Sequence, residues 1–153
     1  MRLAGFAAVL FALGASAPAQ AVSETAAGFA AAMQGCWNRV TWSAAIEAQR
    51  ADPAYSVSSQ MCLSGEVEGA VTFLDCGGVN KLVECARSEG RYAFKDEKFW
   101  RDYGEGMLAG GRDNCDVTLE GGKQFALTNC IWTEVPASGL PIEDAVYERA
   151  TGQ

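Results

Sequence analysis

The sequence predicts an all-β fold: a small antiparallel up-and-down barrel of about eight strands, preceded by a short N-terminal helix and stapled by disulfides. From residue 55 onward, short apolar or alternating runs are separated by glycine and other turn residues at intervals of about 8–12 positions. About eight strands with short connections are enough to close a barrel, and a two-sheet sandwich is the alternative. Six cysteines supply the staples.

The helices are predicted near the N-terminus. Residues 23–34 are rich in alanine, with Ser23 placed as an N-cap and Gly35 as a stop. After a first strand over residues 37–42, residues 43–51 form a second short helix that ends before Pro53. The later strands are predicted at residues 56–63, 70–76, 79–86, 91–95, 99–103, 115–119, 124–132 and 146–150.

Gly121-Gly122 is the strongest hairpin pattern, because both residues tolerate the positive φ of a two-residue turn. That turn places Cys115 opposite Thr128, too far from Cys130 for an unstrained disulfide. A Cys115–Cys130 bond therefore needs a longer loop or a bulge. We favour this pair because both cysteines lie in one hairpin, and the other four leave three possible pairings.

The N-terminus has the three parts of a secretory signal peptide over residues 1–21. Arg2 is followed by an uncharged apolar stretch, and Ala19-Gln20-Ala21 is a small-x-small cleavage pattern. Cleavage leaves residues 22–153 as one β-rich domain, with 11 basic and 19 acidic residues. We expect a periplasmic or secreted protein that does not insert into a membrane after cleavage and does not bind nucleic acid.

An even number of cysteines in an exported chain predicts disulfides rather than metal ligands. The sequence has no histidine and no C-x-x-C pair, so we expect neither a metal site nor a cofactor. The six cysteines are Cys36, Cys62, Cys76, Cys85, Cys115 and Cys130.

The sequence lacks the residues and motifs that usually indicate an enzyme. Histidine, the usual base near neutral pH, is absent, and no nucleophile elbow, P-loop or dinucleotide fingerprint is present. We therefore expect a non-enzymatic protein. Inward aromatic side chains of a small barrel usually fill its interior, and a ligand pocket is the less favoured alternative.

Gly35-Cys36-Trp37 after a short helix resembles the G-x-W at the start of the first strand in lipocalin-like barrels. The resemblance implies that Arg149, near the end of the last strand, covers the face of Trp37 by a cation–π contact. In that family the barrel carries a small apolar ligand.

Residues 88–92 (SEGRY), followed by Phe99-Trp100 and residues 104–108, are similar in order and spacing to a motif of the periplasmic inhibitors of c-type lysozyme. The resemblance implies that Ser88 enters the cleft of the enzyme. The glycine after the serine stands one position late. The inhibitory lysine has no counterpart, although Arg101 lies nearby. A plain hairpin with residues 88–90 as its turn is the alternative.

Together these features predict an exported binding protein, possessing a protein-binding surface centred on Ser88, Tyr92, Trp100 and Arg101. Aromatic residues and arginine are enriched at the centres of protein interfaces. An inhibitor of a hydrolase such as lysozyme is the leading hypothesis. The alternatives are a carrier of a small apolar ligand and a structural envelope protein.

Overall fold

The computed structural model describes residues 26–151, in which eight strands pair in chain order and the last closes on the first. Pairing of Trp37 with Arg149 joins the two ends of the sheet, which confirms the barrel and excludes the sandwich. The predicted signal peptide, residues 1–21, lies outside the described residues. The elements are α1 (Ala26–Met33), β1 (Gly35–Arg39), α2 (Ala44–Arg50), β2 (Tyr55–Gly65), β3 (Glu68–Val79), β4 (Leu82–Lys95), β5 (Lys98–Tyr103), β6 (Arg112–Glu120), β7 (Gln124–Glu134) and β8 (Ala145–Arg149).

The turn predicted at Ser88-Glu89-Gly90 is wrong, because these residues lie inside β4. Residues 82–95, which include most of the predicted strands 79–86 and 91–95, thus form a single strand of 14 residues, whereas Val79 belongs to β3. The preceding turn is formed by Asn80 and Lys81, both with positive φ, rather than by the glycines at 77 and 78. Gly78 is needed for another reason: a Cβ there would overlap the backbone carbonyl of Leu82 on the paired strand.

The turn between β6 and β7 has three residues and not two. Glu120 pairs with Gln124, which leaves residues 121–123 as the loop. The register then shifts again between Asn114 and Asp116, at a bulge that includes Cys115. The longer loop and the bulge together allow the Cys115–Cys130 disulfide.

The other two disulfides also join neighbouring strands. Cys36–Cys62 connects β1 to β2, and Cys76–Cys85 connects β3 to β4 at directly paired positions. No cysteine in the described residues is free. Disulfides persist in oxidising compartments, so the three bonds accord with an exported protein.

Helix α1 closes one end of the barrel. Met33 is fully buried, and Phe29 stacks on Phe94 with ring centroids 6.5 Å apart. Below the helix, Trp37 contacts Phe125 edge to face at 4.9 Å. The interior at this end is therefore filled by aromatic and aliphatic side chains.

Candidate functional site

The opposite end of the barrel has a polar interior. Side chains of a strand alternate between its two faces, so every second residue points inward. On β5 this alternation places Arg101 and Tyr103 inside, on the same face as the fully buried Phe99. Arg101 is 5% exposed, and Asp113 on β6 is fully buried.

Arg101 and Asp113 form a bidentate ion pair in the middle of the barrel. Arg101 Nε donates to Asp113 Oδ1 at 2.9 Å, and a terminal guanidinium nitrogen donates to Oδ2 at 3.0 Å. The Tyr103 hydroxyl donates a third hydrogen bond, to Oδ2, at 3.0 Å. Asp113 is thus fully compensated, as a buried carboxylate must be.

Tyr103 stays protonated in this arrangement. Burial raises the pKa of Tyr103 far above its usual value, the charge of Arg101 opposes this rise, and the charge of Asp113 and its hydrogen bond add to it. Burial likewise raises the pKa of Tyr147. Both phenols are therefore neutral hydrogen-bonding groups near neutral pH.

A cavity of about 140 Å³ opens above this ion pair. Every strand except β6 contributes to its wall, which combines hydroxyls, charges and aromatic rings. Its principal lining residues are Arg39, Ser59, Phe73, Asp75, Ser88, Tyr103, Trp132, Glu143 and Tyr147.

A loop of residues 104–111 forms part of the rim of this cavity. The backbone N–H groups of Gly104 and Glu105 both donate to the carbonyl of Glu89, at 2.9 and 3.0 Å. Gly106 has φ of 84° and lies so close to Ser88 that a Cβ would overlap the serine side chain. Met107 projects from this loop with 62% of its surface exposed.

The four residues predicted as one partner surface do not share a face. Ser88, Tyr92 and Arg101 point into the barrel and are buried, so they cannot form an exposed surface there. Trp100 points outward, donates to the Lys95 carbonyl at 3.2 Å, and has the Lys95 ammonium 4.6 Å from its ring centroid. The strict alternation of β4 and β5 separates Trp100 from the other three.

Sequence reasoning missed the Arg101–Asp113 pair, Tyr103, and the contribution of Asp75 and Tyr147. The spacing of Phe99, Arg101 and Tyr103 could have revealed the inward arginine, since alternate residues share a face. Its partner on β6 could not be found in this way. Arg101 pairs directly with Asp113, but the loop of residues 104–111 separates β5 from β6, so no short turn fixes this register in the sequence.

At the closed end, Arg149 lies over Trp37, with its guanidinium carbon 4.2 Å from the ring centroid. The same guanidinium donates to the carbonyls of Ala32, Gln34 and Gly122. Two of these carbonyls follow α1 or belong to its last turn, where they lack partners within the helix. Arg149 thus fastens the helix and the β6–β7 turn to the barrel.

Within residues 26–151, no helix is long and apolar enough to cross a membrane. The same residues contain no group of three or more His, Cys, Asp or Glu side chains placed to hold a metal ion. No protein-family model, curated protein or solved structure matches the chain.

Proposed function

We propose that this is an exported, non-enzymatic binding protein of the periplasm or extracellular space that inhibits a hydrolase of the c-type lysozyme class. Its contact surface is the open end of the barrel, where the 104–111 loop projects. The observation that carries the proposal is the meeting of two segments, residues 88–89 and 104–106, at one rim. These are the two halves of the sequence pattern that resembles the lysozyme inhibitors.

The geometry assigns different roles to the residues of that pattern. Ser88 is buried beneath Gly106, so it supports the loop rather than entering an enzyme cleft itself. Arg101 is committed to Asp113 and does not replace the missing inhibitory lysine. Met107 is the apolar side chain that the loop presents to a partner.

Charge also favours an enzyme partner of opposite sign. The chain carries a net charge of −7, and exposed Glu105 belongs to the same loop as Met107. Complementary charge speeds encounter and selects partners, mainly through the association rate. A basic hydrolase therefore fits better than an acidic one.

The apolar-carrier alternative has less support. The cavity is lined by several polar and charged groups, and about 140 Å³ is too small for a fatty-acid chain. The structural-envelope alternative requires no function of the 104–111 loop, so a single assay of that loop separates it from the inhibitor.

The test is a lysozyme inhibition titration with the mature protein and two matched variants. Met107→Asp should raise the inhibition constant at least about tenfold, because it places a charge in the centre of the proposed contact. Ile131→Asp is the control, since Ile131 is 57% exposed on the outer wall, and it should inhibit like the parent. Absence of inhibition by the parent protein at saturating concentration excludes the lysozyme proposal.

A further inference from the structure

Three buried hydroxyl groups face the cavity at the open end. Ser59, Ser88 and Tyr147 are each more than nine-tenths buried. Within residues 26–151 their hydroxyls have no hydrogen bond to another protein group. Yet no fully enclosed side-chain oxygen or nitrogen lacks a partner in this part of the chain. The three hydroxyls must therefore border the cavity, where they are available to a ligand.

One carboxylate at the cavity has no ion-pair partner among the described residues. Arg39 is paired with Glu143 at 2.9 Å, and Arg101 is paired with Asp113. Asp75 on β3 lines the mouth of the cavity, is exposed, and takes part in none of the ion pairs among the described residues. The lining charges of Arg39, Arg101, Asp75 and Glu143 cancel, and Asp113 beneath the cavity brings the total to −1, which favours a cationic ligand.

An aromatic wall stands beside this carboxylate. The rings of Phe73 and Tyr103 lie 5.4 Å apart, and those of Tyr103 and Trp132 lie 5.8 Å apart. Ring faces attract organic cations, and groups of such rings recognise alkylated ammonium ions. The guanidinium of Arg101 lies near two of these rings, but Asp113 neutralises its charge.

We propose that this cavity binds a small organic ammonium compound that also carries a hydroxyl group, with Asp75 as its counter-ion. The aromatic wall contacts the alkylated ammonium, and the hydroxyls of Ser59, Ser88 and Tyr147 bond the polar end. A cavity of about 150 Å³ in another protein holds benzene, so this space suits about six or seven non-hydrogen atoms. This binding goes beyond the proposed inhibition and requires no protein partner.

The test is calorimetric titration of the mature, disulfide-intact protein with choline chloride, with glycerol and sodium acetate as reference ligands. Choline should bind, and Asp75→Asn should weaken it at least about tenfold, because hydrogen bonds and contacts to a charged group are stronger than neutral ones. Asp96→Asn is the matched control: Asp96 lies in the β4–β5 turn with φ of 54°, which asparagine tolerates. It should bind choline like the parent.

Three results overturn the proposal: no choline binding up to about 10 mM, which corresponds to a very weak complex; equal affinity for choline in the Asp75→Asn variant; or tighter binding of acetate or glycerol than of choline. Circular dichroism of each variant establishes that it is folded. Inhibition of lysozyme is measured separately, so the loss of either activity can be told from the loss of the other.

The ammonium group could belong to a free compound or to a lipid headgroup. Co-sedimentation with phosphatidylcholine vesicles distinguishes these sources, with phosphatidylglycerol vesicles as the reference. Binding of free choline that is weakened by Asp75→Asn supports the proposal, and additional binding of phosphatidylcholine vesicles shows that a lipid headgroup is a second source of the ammonium group. Absence of free-choline binding overturns the proposal whether or not the vesicles bind.

Discussion

The two ends of the barrel use arginine in opposite ways. At the closed end, Arg149 covers Trp37 and satisfies carbonyl groups at the C-terminus of α1. At the open end, Arg101 is buried within the barrel and neutralises Asp113 beneath a polar cavity. Arg149 holds α1 over an apolar core. Arg101 instead forms part of a polar interior, at positions that apolar side chains could also occupy.

This difference supports the proposed location of the binding site at the open end. A buried ion pair is weak evidence for stability, because its desolvation cost is comparable to its attraction. Stability alone therefore does not explain why the barrel places Arg101 and Asp113 in its centre. The exposed loop and the unpaired hydroxyls belong to the same end, which supports the proposal that the open end binds a partner while the closed end is structural.

The largest expected effect comes from breaking the open-end ion pair. Arg101→Met leaves Asp113 as an uncompensated buried carboxylate and should lower the free energy of unfolding by about 3–5 kcal/mol. Urea denaturation measures this loss. The double variant Arg101→Met with Asp113→Leu should recover most of it, because the remaining apolar pair has no charge to compensate. A double variant less stable than the single one contradicts this explanation.

Removal of single disulfides should destabilise the protein by amounts that depend on the length of the loop that each bond closes. The Cys36–Cys62 bond closes a loop of 26 residues and the Cys76–Cys85 bond one of 9 residues. The chain-entropy relation gives about 3.5 and 2.6 kcal/mol for the two bonds. Paired Cys→Ser variants, compared by thermal unfolding, should show the larger loss for Cys36–Cys62. Equal losses would mean that strain or residual structure outweighs loop length.

At the closed end, Arg149→Ala should cost about 2 kcal/mol, from the lost cation–π contact and the released carbonyl groups. Arg149→Lys should lie between this variant and the parent, since an ammonium keeps the charge but cannot reproduce the planar contact. Chemical denaturation measures both. Lysozyme inhibition by folded Arg149→Ala should equal that of the parent, and a selective loss of inhibition would break the division between the two ends.

The smallest effect concerns alkaline pH. Because burial raises the pKa of Tyr103 above that of an unfolded tyrosine, its contribution is fully present below about pH 10 and is lost as the pH rises. At pH 11 the loss should be about 1.4 kcal/mol for this residue. Absorbance near 295 nm should show Tyr103 ionising only with unfolding. At pH values where both proteins are folded, the Tyr103→Phe variant should show the same absorbance change as the parent. A smaller absorbance change in the variant would mean that Tyr103 ionises in the folded parent, which contradicts this expectation.

The sequence predicts the barrel well because glycine-bounded runs and alternation are local properties of the chain. It fails at β4, where Ser88-Glu89-Gly90 has the composition of a turn but continues a strand. Pairing of all three residues with β3, and of Gly90 also with β5, overrides that local preference. The Cys115–Cys130 pair is within reach of the sequence because both cysteines belong to one hairpin.

The site is less accessible to sequence reasoning. Ser88 and Arg101 are identified, but their inward orientation follows from the register of strands that only the closed barrel defines. Asp75 and Tyr147 are contributed by strands far apart in the chain, so no spacing relates them. The cavity is a property of the ring of strands and not of any one segment.

The division between the two ends is tested most directly by mapping the contact with lysozyme on the isotope-labelled mature protein. Amide chemical shifts in a two-dimensional NMR spectrum should change at residues 88–89 and 104–111 when c-type lysozyme is added, and stay constant around Arg149 and α1. Shift changes concentrated at Arg149 and α1, or none at saturating enzyme, would contradict the assignment of binding to the open end.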